Sequence, residues 1–138
     1  MSKLIPESHR DLLEEAVNVV LTTIMPDGQP QTTPIWCNME GEFVLINTMR
    51  EFRKAKNMHA NPMVTLLAYR LKEPLRNIEV RGRVVEMSEE GALDHLNELN
   101  LLYGAGPNFF GDSVAAELRH KFTPVKVKIK PVRVRVEG

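Results

Sequence analysis

The sequence predicts a mostly β domain (an α+β chain dominated by strands) in which about six antiparallel strands form a small barrel with short helices packed outside. Three observations carry that expectation. Val-, Ile- and Thr-rich segments are separated by tight turns rather than by long helices. Residues 77–87 alternate strictly, with Ile78, Val80, Gly82 and Val84 on one face and Glu79, Arg81 and Arg83 on the other. Helical periodicity is confined to two or three inserts, so the chain lacks the strand–helix rhythm of a doubly wound parallel sheet.

Residues 6–16 read as a short helix, with Ser8 as N-cap and Asp11 three residues on. Residues 17–25 form a first strand and residues 31–39 a second. The turn Pro26-Asp27-Gly28-Gln29 joins them as a hairpin, proline presetting one dihedral and glycine taking a positive φ. Pro34 cannot donate to a ladder, which places the second strand at an edge or a bulge. Residues 40–42 turn the chain and residues 43–48 form a third strand. A helix over 51–60 ends at Asn61-Pro62. Residues 63–71 are a buried strand, residues 72–76 a loop broken by Pro74, and residues 77–87 a long strand.

Ser88 caps the next helix, whose buried stripe is Ala92, Leu93, Leu96, Leu99 and Tyr103. Residues 104–111 form a loop and residues 113–121 a second short helix. The last strand carries an anomaly. Val125, Val127 and Ile129 point one way, but beyond Pro131 the apolar positions become Val132, Val134 and Val136. A period of two cannot change parity without an extra residue, so a bulge or bend is expected near Lys130-Pro131.

The 138 residues suit one domain spanning the whole chain. Eighteen basic and eighteen acidic residues cancel, so nothing draws the chain as a whole to nucleic acid or to an anionic membrane; any anion site must be local. No apolar run reaches the length of a membrane span, and the N-terminus lacks the long apolar core of a signal peptide. The single cysteine, Cys37, excludes an internal disulfide, fits a reducing cytoplasm and reads as a small apolar strand residue. The four histidines are scattered without ligand spacing, so no metal is expected.

Two stretches carry candidate chemistry. On a helix, Arg53, Lys56 and Asn57 share a face, and Lys54 sits near the free N–H groups of the first turn. Phosphate wants that combination of guanidinium, ammonium and helix-end amides, although a solvated helix face satisfies the same pattern. The strand Gln31-Thr32-Thr33-Pro34-Ile35-Trp36 sets hydroxyls and a carboxamide beside the sole tryptophan. It reads either as the wall of a polar-rimmed aromatic pocket or as an ordinary half-exposed strand. The Gly104-Ala105-Gly106 sequence is no dinucleotide fingerprint, because no strand precedes it and Pro107 follows. No hydrolase triad or zinc motif is present.

In sequence order, Pro26-Asp27-Gly28-Gln29-Pro30, Thr33-Pro34-Ile35-Trp36, Asn47-Thr48, Arg53-Lys54-Ala55-Lys56-Asn57-Met58 and Asn61-Pro62 resemble the pyridoxamine 5'-phosphate oxidase-like superfamily of split β-barrel flavoproteins. Within it they are most similar to the small oxidoreductase branch that depends on the deazaflavin coenzyme F420. The resemblance runs over residues 10–70. It implies a six-stranded split barrel and a homodimer with cofactor sites at the subunit interface. It also implies a cofactor phosphate held by Arg53 and Lys54, with Asn47, Thr48, Gln31 and Asn57 nearby, and a ring lying against Thr33, Pro34, Ile35 and Trp36. Phe52 stands where serine is common and Lys56 where arginine is, which removes a hydroxyl and a bidentate contact.

The implied activity is hydride transfer between F420 and a small organic substrate with an activated double bond. No catalytic side chain stands out. FMN shares the ribityl phosphate and is the alternative cofactor; a non-catalytic flavin or deazaflavin carrier is the alternative of another class.

Overall fold

The computed structural model describes residues 3–138. Its strands are β1 (Asn18–Ile24), β2 (Pro30–Ile35), β3 (Cys37–Glu40), β4 (Phe43–Met49), β5 (Met63–Arg70), β6 (Glu73–Ser88) and β7 (Pro124–Glu137). The helices are α1 (Asp11–Glu14), α2 (Arg53–Ala60) and α3 (Ala92–Leu102). All seven strands form one antiparallel sheet in the order β2-β1-β5-β6-β7-β4-β3. The two edge strands, β2 and β3, are consecutive in the chain and separated only by Trp36. The sheet must therefore curl until its edges meet at that residue, which makes an open-sided barrel.

Trp36 also accounts for the strand count. The predicted second strand, residues 31–39, breaks there into β2 and β3, giving seven strands rather than six. β2 pairs only with β1, so Pro34 sits on an edge where its missing N–H costs no ladder bond. The hairpin turn is as expected: Gly28 has φ 91° and its N–H donates to the Met25 carbonyl at 2.9 Å.

Alternate residues of every long strand fill the interior. Leu21, Ile46, Leu66, Ile78 and Ile129 are completely buried and pack with Leu12 and Leu13 of α1 in one cluster. Each such side chain contributes about 1.5–3 kcal/mol. The parity change in β7 has the expected cause: Arg81 pairs with Arg133 but Gly82 with Pro131, leaving Val132 as the extra residue. β6 carries a second bulge at Val85, since Val84 pairs with Ile129 and Glu86 with Lys128. Gly82 is needed between the bulges. A Cβ there would lie 2.6 Å from Ile129 Cγ2 and 2.9 Å from the Lys130 carbonyl oxygen.

Several local expectations are corrected. Residues 72–76 are not a loop, because β6 begins at Glu73 and a tight turn at Leu71-Lys72 joins it to β5. The N-terminal helix over 6–16 shortens to a 3-10 turn, Glu7–His9, followed by the four residues of α1. Asp11 is drawn away from capping by Arg70 (2.9 Å) and Arg76 (2.7 Å), while Ser8 bonds its neighbour His9. Ser88 ends β6 and its hydroxyl donates to the Glu90 carbonyl; the N-cap of α3 is Gly91. In place of a helix over 113–121 the chain makes a π-type turn, Phe109–Ser113, and a 3-10 turn, Ala116–His120.

Candidate functional site

Where the sheet edges meet, a cavity of about 320 Å³ opens between the barrel and the helices. The end of β2 and the break after it supply Pro34, Ile35 and Trp36. The end of β4 supplies Asn47, Thr48 and Met49, and the start of α2 brings Phe52 and Lys54. Leu96 and Leu99 of α3 and Phe109 close the apolar side.

Of the residues expected to bind a cofactor, the fold thus brings Pro34, Ile35, Trp36, Asn47, Thr48 and Lys54 around one cavity. Gln31, Thr33, Arg53 and Asn57 do not line it. β2 turns Gln31 and Thr33 inward, farther along the strand from the cavity and paired with Thr23 and Leu21 of β1. Asn57 is 2% exposed, and its Nδ2 donates to Thr23 Oγ1 at 3.1 Å and to Gln31 Oε1 at 3.3 Å. That pair ties α2 to the β1–β2 hairpin. It also divides the predicted shared face: Arg53 and Lys56 stay in solvent while Asn57 turns into the protein.

The cavity's polar end has unmet valences. Among the described residues, four buried side-chain oxygens lack a hydrogen-bond partner, and two of them, Asn47 Oδ1 and Thr48 Oγ1, belong to residues that line the cavity. A buried polar atom left unpaired costs about 1–3 kcal/mol, so a ligand that engages it recovers that cost. Arg53, Lys54 and Lys56 form no ion pair among the described residues. Lys54 is half-buried, and desolvation alone pulls its pKa below the usual lysine value. No side chain caps α2, so the first-turn N–H groups beside Lys54 are open to an anion.

Two groups at the site were not anticipated from sequence. His95, 3% exposed on α3, accepts at Nδ1 from the Asn47 amide (3.1 Å) and donates from Nε2 to Asn38 Oδ1 (2.8 Å). Asn47 Nδ2 also donates to the Ala92 carbonyl at 2.9 Å. Burial, with nearby Lys126, pushes the His95 pKa down to about 4, so the ring is neutral at pH 7. The second group is aromatic. Tyr103 stacks on Trp36 at 5.0 Å and 17°, and Phe109 meets Trp36 edge-on at 6.5 Å and 86°. Trp36 is therefore a wall between elements rather than core filling. The spacing of Leu96, Leu99 and Tyr103, along α3 and its C-cap, was visible in the sequence; that Tyr103 stacks on Trp36 was not.

The chain matches the family model for pyridoxamine 5'-phosphate oxidase over residues 5–136. It belongs to that family. Solved structures share the fold. An F420 reductase is 26% identical, with a TM-score of 0.78 over 95% of this chain and 98% of that one. A conserved hypothetical protein of Mycobacterium tuberculosis (23% identical, TM-score 0.69, covering 100% of this chain and 88% of that one) shares the fold. So does General Stress Protein 26 of Bacillus anthracis (21% identical, TM-score 0.67, 95% and 92%). A search of curated proteins by sequence gives no significant match. Membership of the oxidase family accounts for the barrel whose edges meet beside the cavity. Among the described residues no helix is long and apolar enough to cross a membrane.

Proposed function

We propose that this chain is a cofactor-dependent oxidoreductase that binds the deazaflavin F420 in the cavity beside Trp36, with FMN as the alternative cofactor. The observation that carries the reading is the half-buried, unpaired Lys54 at an uncapped helix start, facing a cavity otherwise walled by aromatic and aliphatic groups. The residues present fit such a group, and the unpartnered oxygens of Asn47 and Thr48 add hydrogen-bonding capacity at the same place. The 26% identity to an F420 reductase supports the deazaflavin over FMN.

In this reading Lys54 and the first-turn N–H groups of α2 hold the phosphate, and exposed Arg53 adds charge from outside. Pro34, Ile35 and Trp36 would flank the ring, and Leu96, Leu99 and Phe109 would give it an apolar wall. When bound, the ring supplies the hydride chemistry. Among the described residues Lys54 is the only titratable side chain lining the cavity, so this chain's lining offers no carboxylate or imidazole to shuttle a proton, and solvent would supply it. The substrate is a small organic molecule with an activated double bond. The working unit is a homodimer, whose second copy completes each site.

The test is a turnover assay: reduced F420 or reduced FMN mixed with the protein and a panel of enones and quinones. Protein-dependent oxidation with at least one acceptor is expected. Binding without oxidation identifies a carrier, and no binding of either cofactor refutes the reading.

A further inference from the structure

We propose that Phe109 is the specificity-determining end wall of the cavity, a role that rests on that cavity being the ligand site. The anionic group of a ligand belongs at Lys54 and its ring at Trp36. The residue that touches Trp36 from the cavity's apolar side is Phe109. The two rings meet edge-on with centroids 6.5 Å apart, within the contact range of about 4.5–7 Å for aromatic pairs, so no gap separates them. Tyr103 already stacks on Trp36. A substituent projecting past Trp36 on the side where the two rings meet therefore runs into Phe109.

This wall is fixed rather than a loose lid. The Phe109 N–H donates to Asn97 Oδ1 at 2.9 Å, anchoring the residue to α3. Asn100, completely buried, holds both sides of the segment: its Nδ2 donates to the Gly106 carbonyl at 2.7 Å and its Oδ1 accepts from the Ser113 hydroxyl. Asp112 accepts from the Asn108 N–H at 2.7 Å. Phe109 also lies outside the main barrel core cluster. Phe109 is half-buried and packs edge-on against Phe110 (5.2 Å) as well as Trp36, and Asn97 and Asn100, one turn apart on α3, hold its segment there.

A ring held in this way sets the size limit of the ligand. Removing it adds a phenyl-sized space at the end of the cavity, where a bulky substituent then fits. A difference of one methylene in such a pocket discriminates about 10–200-fold.

The test uses full-length protein and needs no cofactor. Trp36 is the sole tryptophan, so quenching of its fluorescence reports occupancy. The probes are 1,4-naphthoquinone and its 2-tert-butyl derivative. Native protein is expected to bind the unsubstituted probe at least ~10-fold more tightly, by the pocket discrimination above. In Phe109→Ala the ratio should fall to within about threefold, chiefly through tighter binding of the bulky probe. Phe109→Tyr should restore the ratio, and Asn97→Ala should give an intermediate value. No preference in the native protein, or an unchanged ratio in Phe109→Ala, overturns the inference; so does equal loss of both probes. Failure of F420 and FMN to bind while the probe ratio holds would refute the proposed cofactor instead and leave the wall in place.

Discussion

Lys54→Met separates the two claims made about this lysine. Among the described residues nothing acidic pairs with Lys54, and its pKa is lowered by desolvation alone, so in the free protein its charge opposes folding slightly. Removing the charge should leave the melting temperature unchanged or raise it. With a phosphate bound, the same charge makes a charge-assisted hydrogen bond of about 1.5–3 kcal/mol. Its loss should therefore weaken FMN or F420 binding by about 10- to 150-fold. Exposed Arg53 is more screened, and Arg53→Met should cost less. Isothermal titration and thermal melts on the three proteins decide the matter. Unaltered affinity in Lys54→Met, or a melting temperature several degrees lower, would refute the reasoning.

Three further outcomes follow from the packing and the titrating groups. Gly82→Ala should destabilise by about 1–3 kcal/mol, measured by urea melts, because its Cβ meets Ile129 and the Lys130 backbone. His95 titrates near 4 in the fold against 6.5 in the free residue, so below about pH 6.5 the unfolded chain takes up a proton that the native state refuses. Stability should fall by about 3 kcal/mol between pH 6.5 and 4 from this residue, and His95→Gln should flatten that part of the profile. Asp11 has its pKa depressed by its hydrogen bond to Arg76, then by Arg70. Its stabilisation is complete above the ordinary carboxylate pKa and is lost as the pH falls below it, so Asp11→Asn should melt lower at pH 7 and show a shallower decline below pH 4.

Period-two patterning made the barrel legible in the sequence, and even the parity change at Pro131 pointed to its bulge, because register leaves a residue-level trace. The break at Trp36 left no such trace. Alternation continues through it, and only the three-dimensional demand that the edges meet there splits the strand. The site was legible where its residues are local, as in Pro34-Ile35-Trp36 and Asn47-Thr48. It was less legible where side-chain direction depends on tertiary contacts: Asn57 shares a helical face with Arg53 by spacing, yet the β1–β2 hairpin draws its amide inward. His95 was invisible for the same reason, since nothing in the sequence links it to Asn38 and Asn47.

The central claim is that the cavity beside Trp36 holds a flavin-type cofactor through Lys54. Titration of apo protein with F420 and FMN side by side, followed by Trp36 fluorescence, tests it most directly. The account predicts saturable quenching at micromolar concentration, tighter for F420, and weakened in Lys54→Met. Quenching by neither cofactor, or equal quenching in Lys54→Met, would contradict it.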